Sequence, residues 1–399
     1  MDLLSNTRCG QRLDSVGIAQ KESAEALRQP RICMPTWRRF AQEAYHCGWY
    51  EAENTISNSD DVDLIDVEPG EWFHFTWAWH RRLLWRDVSR RLAYVNPGLR
   101  TIRLTKEYDL LFVHCQIWWE LFYLNAIDRW KDHCKTSVCW IDEMYASDVP
   151  GHKYWIESLA RFDHVILGMA GTVKAVSEAI GRQCHYVPPA VDALRFTPYP
   201  RPPVRVIDAY SIGRRQDQIH RSLLKLAEKN GIFYLYDTIQ SGESIAPDFR
   251  QHRDLVANLA KRSRYFLVAP GKINSPETKG QIEIGLRYFE GSAAGAVLLG
   301  QAPDCEPFRR LFGWPDSVIE IKPDGSDVRD VLESLAEQPE RLSEISRRNA
   351  AEALLRHDWG YRWSEVLEIA GLTPTPALEA RKRCLGELAE KALEPAHLL

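Results

Sequence analysis

Two runs of short apolar strands, each alternating with helical patterns, predict an α/β protein made of two parallel-sheet domains. A proline-rich break between the runs, Thr197-Pro-Tyr-Pro-Arg-Pro-Pro203, marks the join. Proline fits neither a helix interior nor a central strand, so this segment reads as a stiff linker. A length of 399 residues suits two domains of ordinary size.

Residues 1–30 are polar and aperiodic and read as a mobile lead-in. Arg31–Thr36 is the first expected strand, with a helix following through Trp49, and Asp61–Val67 alternates into the second. Asp109–His114 and Ser137–Ile141 are continuous apolar runs of the kind buried on both faces of a parallel sheet. His164–Gly168 and Cys184–Val187 complete the series, with helical patterns at 116–131, 153–161 and 173–181. The first domain is thus expected over 31–196 and the linker over 197–205. A second domain over 206–372 repeats the rhythm. Its strands are Val206–Ile212, Phe233–Tyr236, Tyr265–Ala269, the run ending at Gly300, and Ser317–Ile321. Its helices are expected at 217–229, 249–260 and from Val328 onward, with 373–399 as a terminal helix or tail.

Composition narrows the class. Hydrophobic residues at 45% and charged residues at 27% are those of a soluble globular protein. A net charge of −4 gives no global field that would recruit nucleic acid. The nine cysteines are odd in number, and none forms a Cys-x-x-Cys pair. Neither a zinc ribbon nor a disulfide framework is indicated, and free thiols in a reducing cytosol fit. No signal-like or membrane-spanning apolar run is present in the sequence, so a cytoplasmic protein is expected. Asp60-Asp61-Val-Asp63 precedes a strand and reads as a solvated turn rather than a metal site.

Several residues sit where chemistry is done. Arg287 and Glu290, three apart, share one helix face ahead of a glycine break. A glutamate there accepts two hydroxyl hydrogen bonds, while the helix N-terminus and the arginine hold phosphate. The plainer reading is a surface ion pair. Gly213-Arg214-Arg215 follows a strand, where ligands of parallel sheets bind; a solvated turn is the alternative. Lys272 and Lys279 flank the loop Gly271–Gly280, which reaches phosphate or serves as a flap. In the first half, His114 ends an apolar strand, and Asp142 and Glu143 hold the same place on the next. Each is placed to act as a base, although a lone histidine is more often structural. Finally, Trp77–Leu92 mixes tryptophans with Arg81, Arg82, Arg86, Arg90 and Arg91. It reads either as a helix lying on an anionic membrane or as one packing its Trp/Leu face on the sheet with arginines in water.

The segment Arg287-Tyr-Phe-Glu-Gly-Ser-Ala-Ala-Gly295, followed by an apolar strand, resembles the C-terminal domain of GT-B glycosyltransferases, nearest to the group 1 (family 4-like) and CgeB-like branch. Three further segments resemble the family in the same order: Tyr186–Pro198, Tyr210–Arg215 and Arg356–Trp363. One departure stands out. The usual glutamate partner of Glu290 would fall on Ile282, and Glu283 is one residue out of register. The resemblance implies a GT-B architecture, two Rossmann-like domains facing each other across a cleft. It implies transfer from a nucleoside-diphosphate sugar to a glycan, polysaccharide or lipid-linked acceptor, without cofactor or metal and with retention. Gly213, Arg214, Arg215, Lys272, Lys279, Glu283, Arg287 and Glu290 would bind the donor, and His114, Asp142 and Glu143 would supply the catalytic groups. A sugar-nucleotide epimerase using the same cleft, or a degenerate GT-B scaffold in polysaccharide or coat assembly, would leave a similar pattern.

Overall fold

The computed structural model describes residues 30–86, 88–238, 244–273 and 275–394. Apart from Pro30, the expected lead-in lies outside the described residues, as does the tail beyond 394.

In chain order the first domain contains β1 (Ile32–Thr36), α1 (Cys47–Ser59), β2 (Val62–Asp66), α2 (Phe73–Trp85), β3 (Ile102–Arg103) and β4 (Tyr108–Ile117). After them come β5 (Ile127–Asp128), β6 (Cys134–Glu143), α3 (Lys153–Leu159), β7 (His164–Leu167), α4 (Val173–Ile180) and β8 (His185–Tyr186). Six of these strands form one parallel sheet in the order β2-β1-β4-β6-β7-β8, while β3 and β5 pair separately. The apolar runs that signalled β4 and β6 are its buried centre, in register from Tyr108↔Cys134 to Ile117↔Glu143.

A short helix α5 (Ala193–Phe196) leads into the second domain. There β9 (Ile207–Ser211), α6 (Asp217–Asn230), β10 (Tyr234–Tyr236), α7 (Phe249–Lys261), β11 (Ser263–Val268) and α8 (Leu286–Ala293) follow. They are succeeded by β12 (Val297–Gly300), α9 (Glu306–Leu311), β13 (Ile319–Glu320), α10 (Val328–Ala336) and α11 (Pro339–Arg356). The second sheet, parallel throughout, has the order β10-β9-β11-β12-β13. Two last helices, α12 (Trp359–Ile369) and α13 (Pro376–Leu393), end the described chain. Two parallel sheets with helices on their faces are the two Rossmann-like domains of the GT-B architecture.

The chain changes domain earlier than its prolines suggest. Val187 and Ala190 pack in the first domain's core, whereas Val191, Ala193 and Phe196 pack in the second. The proline segment is pinned rather than free: the Arg205 guanidinium donates to the carbonyls of Ser263, Ala294 and Gly295. At the far end the chain crosses back. Leu354 belongs to the second core, but Trp359, Trp363, Val366 and Leu367 of α12 pack against Ile32, Leu110 and Trp140 of the first sheet. The two crossings touch through a bridge between Val191 and Asp358, and Arg381 of α13 holds both Asp192 and Asp358.

Four local expectations are corrected. The helix read over 116–131 is a run of 3-10 turns, Trp118–Ala126 and Trp130–Asp132, separated by β5. The helix expected to end at Trp49 begins at Cys47 and runs to Ser59. Asp60 is buried rather than solvated, paired with Arg31 at 2.6 Å and accepting from Trp363 Nε1 at 2.8 Å. Cys384 is disulfide-bonded, so the all-thiol expectation is too broad, although the other described cysteines are free. No described helix is long and apolar enough to cross a membrane.

Candidate functional site

In the second sheet the chain runs from β9 outward to β10, then returns to place β11 on the other side of β9. The carboxyl ends of β9 and β11 therefore flank a topological switch point, where open parallel sheets bind ligands. The crevice at that point is lined by Gly213, Arg214, Arg215, Gly271, Lys272 and Arg287. Gly213 has φ +78°, a left-handed turn that favours glycine, and its N–H donates to Asp237 Oδ2 at 2.8 Å. An added Cβ there would lie 3.5 Å from Arg287 Nη2, so the β9 turn and the start of α8 converge on one point. Arg214 is exposed in this crevice. Arg215 instead donates to the Asp237 carbonyl and lies over the Tyr236 ring at 5.4 Å, which fixes the loop.

The crevice opens into a cleft of about 1040 Å³ between the domains, with Tyr45, Trp118, Trp119 and Tyr145 on one wall and Tyr236, Ile245, Leu255 and Leu259 on the other. Beside it lies a smaller chamber of about 210 Å³. The chamber brings together most of the residues singled out in the sequence: Asp142 and Glu143 from the end of β6, and Lys272, Glu283, Arg287 and Glu290 from the second domain.

Asp142 accepts hydrogen bonds at Oδ2 from Trp49 Nε1 (3.1 Å) and Gln116 Nε2 (2.9 Å). Burial pushes its carboxyl up to about 7, with the neighbouring Glu143 adding to the shift. The bare Cα of Gly168 makes room for it, since a Cβ there would stand 2.4 Å from Asp142 Oδ1. Glu143 forms an ion pair across the cleft with Lys272, which also contacts Glu277 at 3.1 Å. Glu283 bridges the domains as well, accepting from the Gly171 N–H at 2.9 Å, and burial pushes its carboxyl up. Gln281 adds two more cross-domain bonds, to the Ala146 N–H (3.0 Å) and Thr172 Oγ1 (3.0 Å). The loop after β11 is therefore anchored to the first domain.

Glu290 has no exposed surface. One oxygen accepts from Arg287 and the other from Arg253 of α7, which in turn reaches Glu51 of α1 at 2.8 Å. Burial works against ionisation, but Arg287 and Arg253 outweigh it and hold the Glu290 carboxyl low. The pair with Arg287 is part-buried rather than on the surface, and with both oxygens taken by guanidiniums Glu290 does not offer the hydroxyl-accepting carboxylate expected from the sequence; it holds the part-exposed Arg287 at the cleft instead.

Two expected residues stand elsewhere. β4 continues past His114 to Ile117, so the histidine is inside the sheet rather than at its end. It is buried and stacked on Trp49 with ring centroids 3.2 Å apart, and burial drives its pKa well below the usual value. Lys279 is exposed in a left-handed turn and does not line the cleft. The sequence reading passed over Tyr145, His252 and the Glu51–Arg253 pair. Tyr145 follows Glu143 by two residues, and its buried Oη, at the cleft, has no hydrogen-bond partner among the described residues. His252 lines both chamber and cleft, and burial lowers its pKa, with Arg253 and Arg287 adding to the effect.

Residues 239–368 match the sequence profile of a family described as Glycosyl transferase-like. No curated protein matches the sequence. The fold is similar to an alpha-glucosyltransferase solved with UDP-glucose and DNA containing an abasic site, at 13% identity and a TM-score of 0.53, over 86% of this chain and 99% of that one. A second structure of an alpha-glucosyltransferase, with UDP and a 13-mer DNA, aligns at 13% identity and a TM-score of 0.50 over the same shares, 86% and 99%. An alpha,alpha-trehalose-phosphate synthase (UDP-forming) from Burkholderia xenovorans aligns at 14% identity and a TM-score of 0.49, over 84% of this chain and 99% of that one. Residues 239–368, within the second domain, are thus similar to a Glycosyl transferase-like family, on a chain folded as GT-B.

Proposed function

We propose that this protein is a GT-B glycosyltransferase that holds a nucleoside-diphosphate sugar in the second-domain crevice and transfers the sugar within the inter-domain chamber. One observation carries the reading: Arg214, Lys272 and Arg287 converge at the switch-point crevice, and Asp142 and Glu143 face them across the cleft. Cations aimed at a departing diphosphate stabilise charge where it develops, and most strongly in a site closed to water. On this reading transfer is metal-independent, because the arginines and the lysine meet the charge that a divalent ion would otherwise neutralise. The chamber accepts the transferred sugar, with Tyr145 Oη and His252 as hydroxyl partners. The acceptor, a glycan or lipid-linked saccharide, approaches past Trp118 and Trp119. The motif order supports a place in the group 1, CgeB-like branch in the cytoplasm, for which retention is expected.

Asp142 favours a second reading. A carboxyl near 7 at a strand end is matched to proton abstraction at neutral pH, as an inverting mechanism requires. The anomeric coupling constant in the proton NMR spectrum of the product separates the two. Donor binding is tested first by a thermal-shift screen across nucleoside diphosphates and their sugars, since any binder raises the melting temperature by mass action. Absence of a shift with all of them would sink the enzymatic reading and favour the scaffold.

A further inference from the structure

Helix α2 is aromatic on both of its sides. Its inner side is core: Phe73 and Leu84 are buried, and Trp77 packs on Tyr123 with ring centroids 5.3 Å apart. His80 fixes the same side through a 2.7 Å contact with the Leu92 carbonyl. The outer side carries Trp72, Phe75 and Trp79, which are 70%, 65% and 51% exposed. Spacings of three and four put these rings in one stripe along the helix. Single exposed apolar residues need no explanation, but a contiguous aromatic stripe marks a contact surface. Of the two readings of this stretch, Trp77 and Leu84 follow the one in which a Trp/Leu face packs inward.

The stripe continues as charge. Arg82 and Arg86 follow at the next two turns, both exposed, and the Arg82 guanidinium lies 5.9 Å from the Trp79 ring centroid. Between residues 72 and 95 the sequence has five arginines against one aspartate, in a chain whose net charge is −4. The positive charge is therefore local. It also argues against a second copy as the occupant, because a two-fold contact through this face would set arginine against arginine.

We propose that this outer face of α2 docks on an anionic lipid surface. The three rings enter the boundary between headgroups and acyl chains, where tryptophan is favoured, and Arg82 and Arg86 meet the lipid phosphates. The proposal stands independently of the glycosyltransferase reading. If both hold, docking has a use. α2 follows the carboxyl end of β2, the side of the sheet that faces the cleft, so the helix would bring the cleft mouth to the bilayer.

The test is sedimentation with vesicles of phosphatidylcholine containing about 30% phosphatidylglycerol, which supplies the negative surface potential, and with pure phosphatidylcholine. The full chain should sediment with the anionic vesicles, release as salt rises, and remain in solution with the neutral ones. Phe75→Ser with Trp79→Ser, and separately Arg82→Gln with Arg86→Gln, should each lower the partition coefficient at least tenfold. Melting temperature and nucleoside-diphosphate binding should stay at parental values, because neither pair touches core or cleft. The mild arginine pair keeps the test valid should the serine pair fold poorly. Failure of the parent to sediment, equal sedimentation with both vesicle types, or unchanged partition of the arginine pair overturns the proposal. So does a dimer in analytical ultracentrifugation that the serine pair abolishes, which would make the face a self-interface.

Discussion

Glu51 of the first domain and Arg253 of the second form a buried ion pair, Arg253 Nε to Glu51 Oε2, at 2.8 Å. The same guanidinium donates to Glu290, so one cation serves two carboxylates from opposite sides of the domain interface. Removing one member of such a group strands the others in a low dielectric, at a cost of about 3–5 kcal/mol. Arg253→Met should therefore lower the urea midpoint and also weaken nucleotide binding, through loss of the Arg287 orientation that Glu290 maintains. A midpoint unchanged within error would show the pair to be energetically idle.

Arg214 is exposed in the crevice, so its removal should leave the fold intact. Arg214→Ala is expected to weaken the nucleoside diphosphate selected by the thermal-shift screen about tenfold or more, in line with the roughly 1.5–3 kcal/mol of a hydrogen bond to a charged group. The corresponding nucleoside should bind as before. Calorimetric titrations of the two ligands check this, and equal losses would reject a diphosphate role.

Asp142 titrates at about 7, above its ordinary value of 3.8. A raised carboxyl contributes stability that is complete below the ordinary value and is lost as pH rises through about 7. Asp142→Asn should thus melt higher than the parent at pH 8.5, with no such advantage at pH 4. If Asp142 is the base, the parent's transfer rate climbs through pH 7 and the variant's does not.

His46 shows the cationic counterpart. Burial opposes its protonation, but Glu120 at 2.6 Å and Glu43 at 3.3 Å prevail and raise it to about 9. The stability it supplies is complete below 6.5 and disappears as pH passes about 9. The parent's urea midpoint should fall across that window, while His46→Gln should show a flatter profile.

The central strands could be read from sequence because continuous apolar runs such as Asp109–His114 have few other uses. The ends of those runs were less legible. Hydropathy stops at His114, but the β4–β6 ladder continues to Ile117↔Glu143, so the residues at the cleft are Gln116 and Ile117. The run Trp118–Ala126 has helical apolar spacing yet forms 3-10 turns, where the Glu120 carboxylate accepts the Gln116 N–H. Glu51 and Arg253 looked like ordinary polar helix positions. Their meaning lies in partners 202 residues apart, which no local pattern records. Arg214, Arg287 and Asp142 were legible for the opposite reason, since each stands at a strand end or helix start that the alternation itself located.

The paired crossings at Ala190–Val191 and His357–Asp358 lie side by side, tied by Arg381. Two covalent strands at one place leave the domains a swinging motion about that line and resist sliding. On the proposed reading, the contacts of Lys272, Gln281 and Glu283 with the first domain break together whenever the cleft widens to admit or discharge a nucleotide. If transfer proceeds as proposed, turnover depends on this hinge as well as on the chemistry. Substitutions at Asp192, Asp358 or Arg381, none of which lines the cleft, would register as changes in turnover.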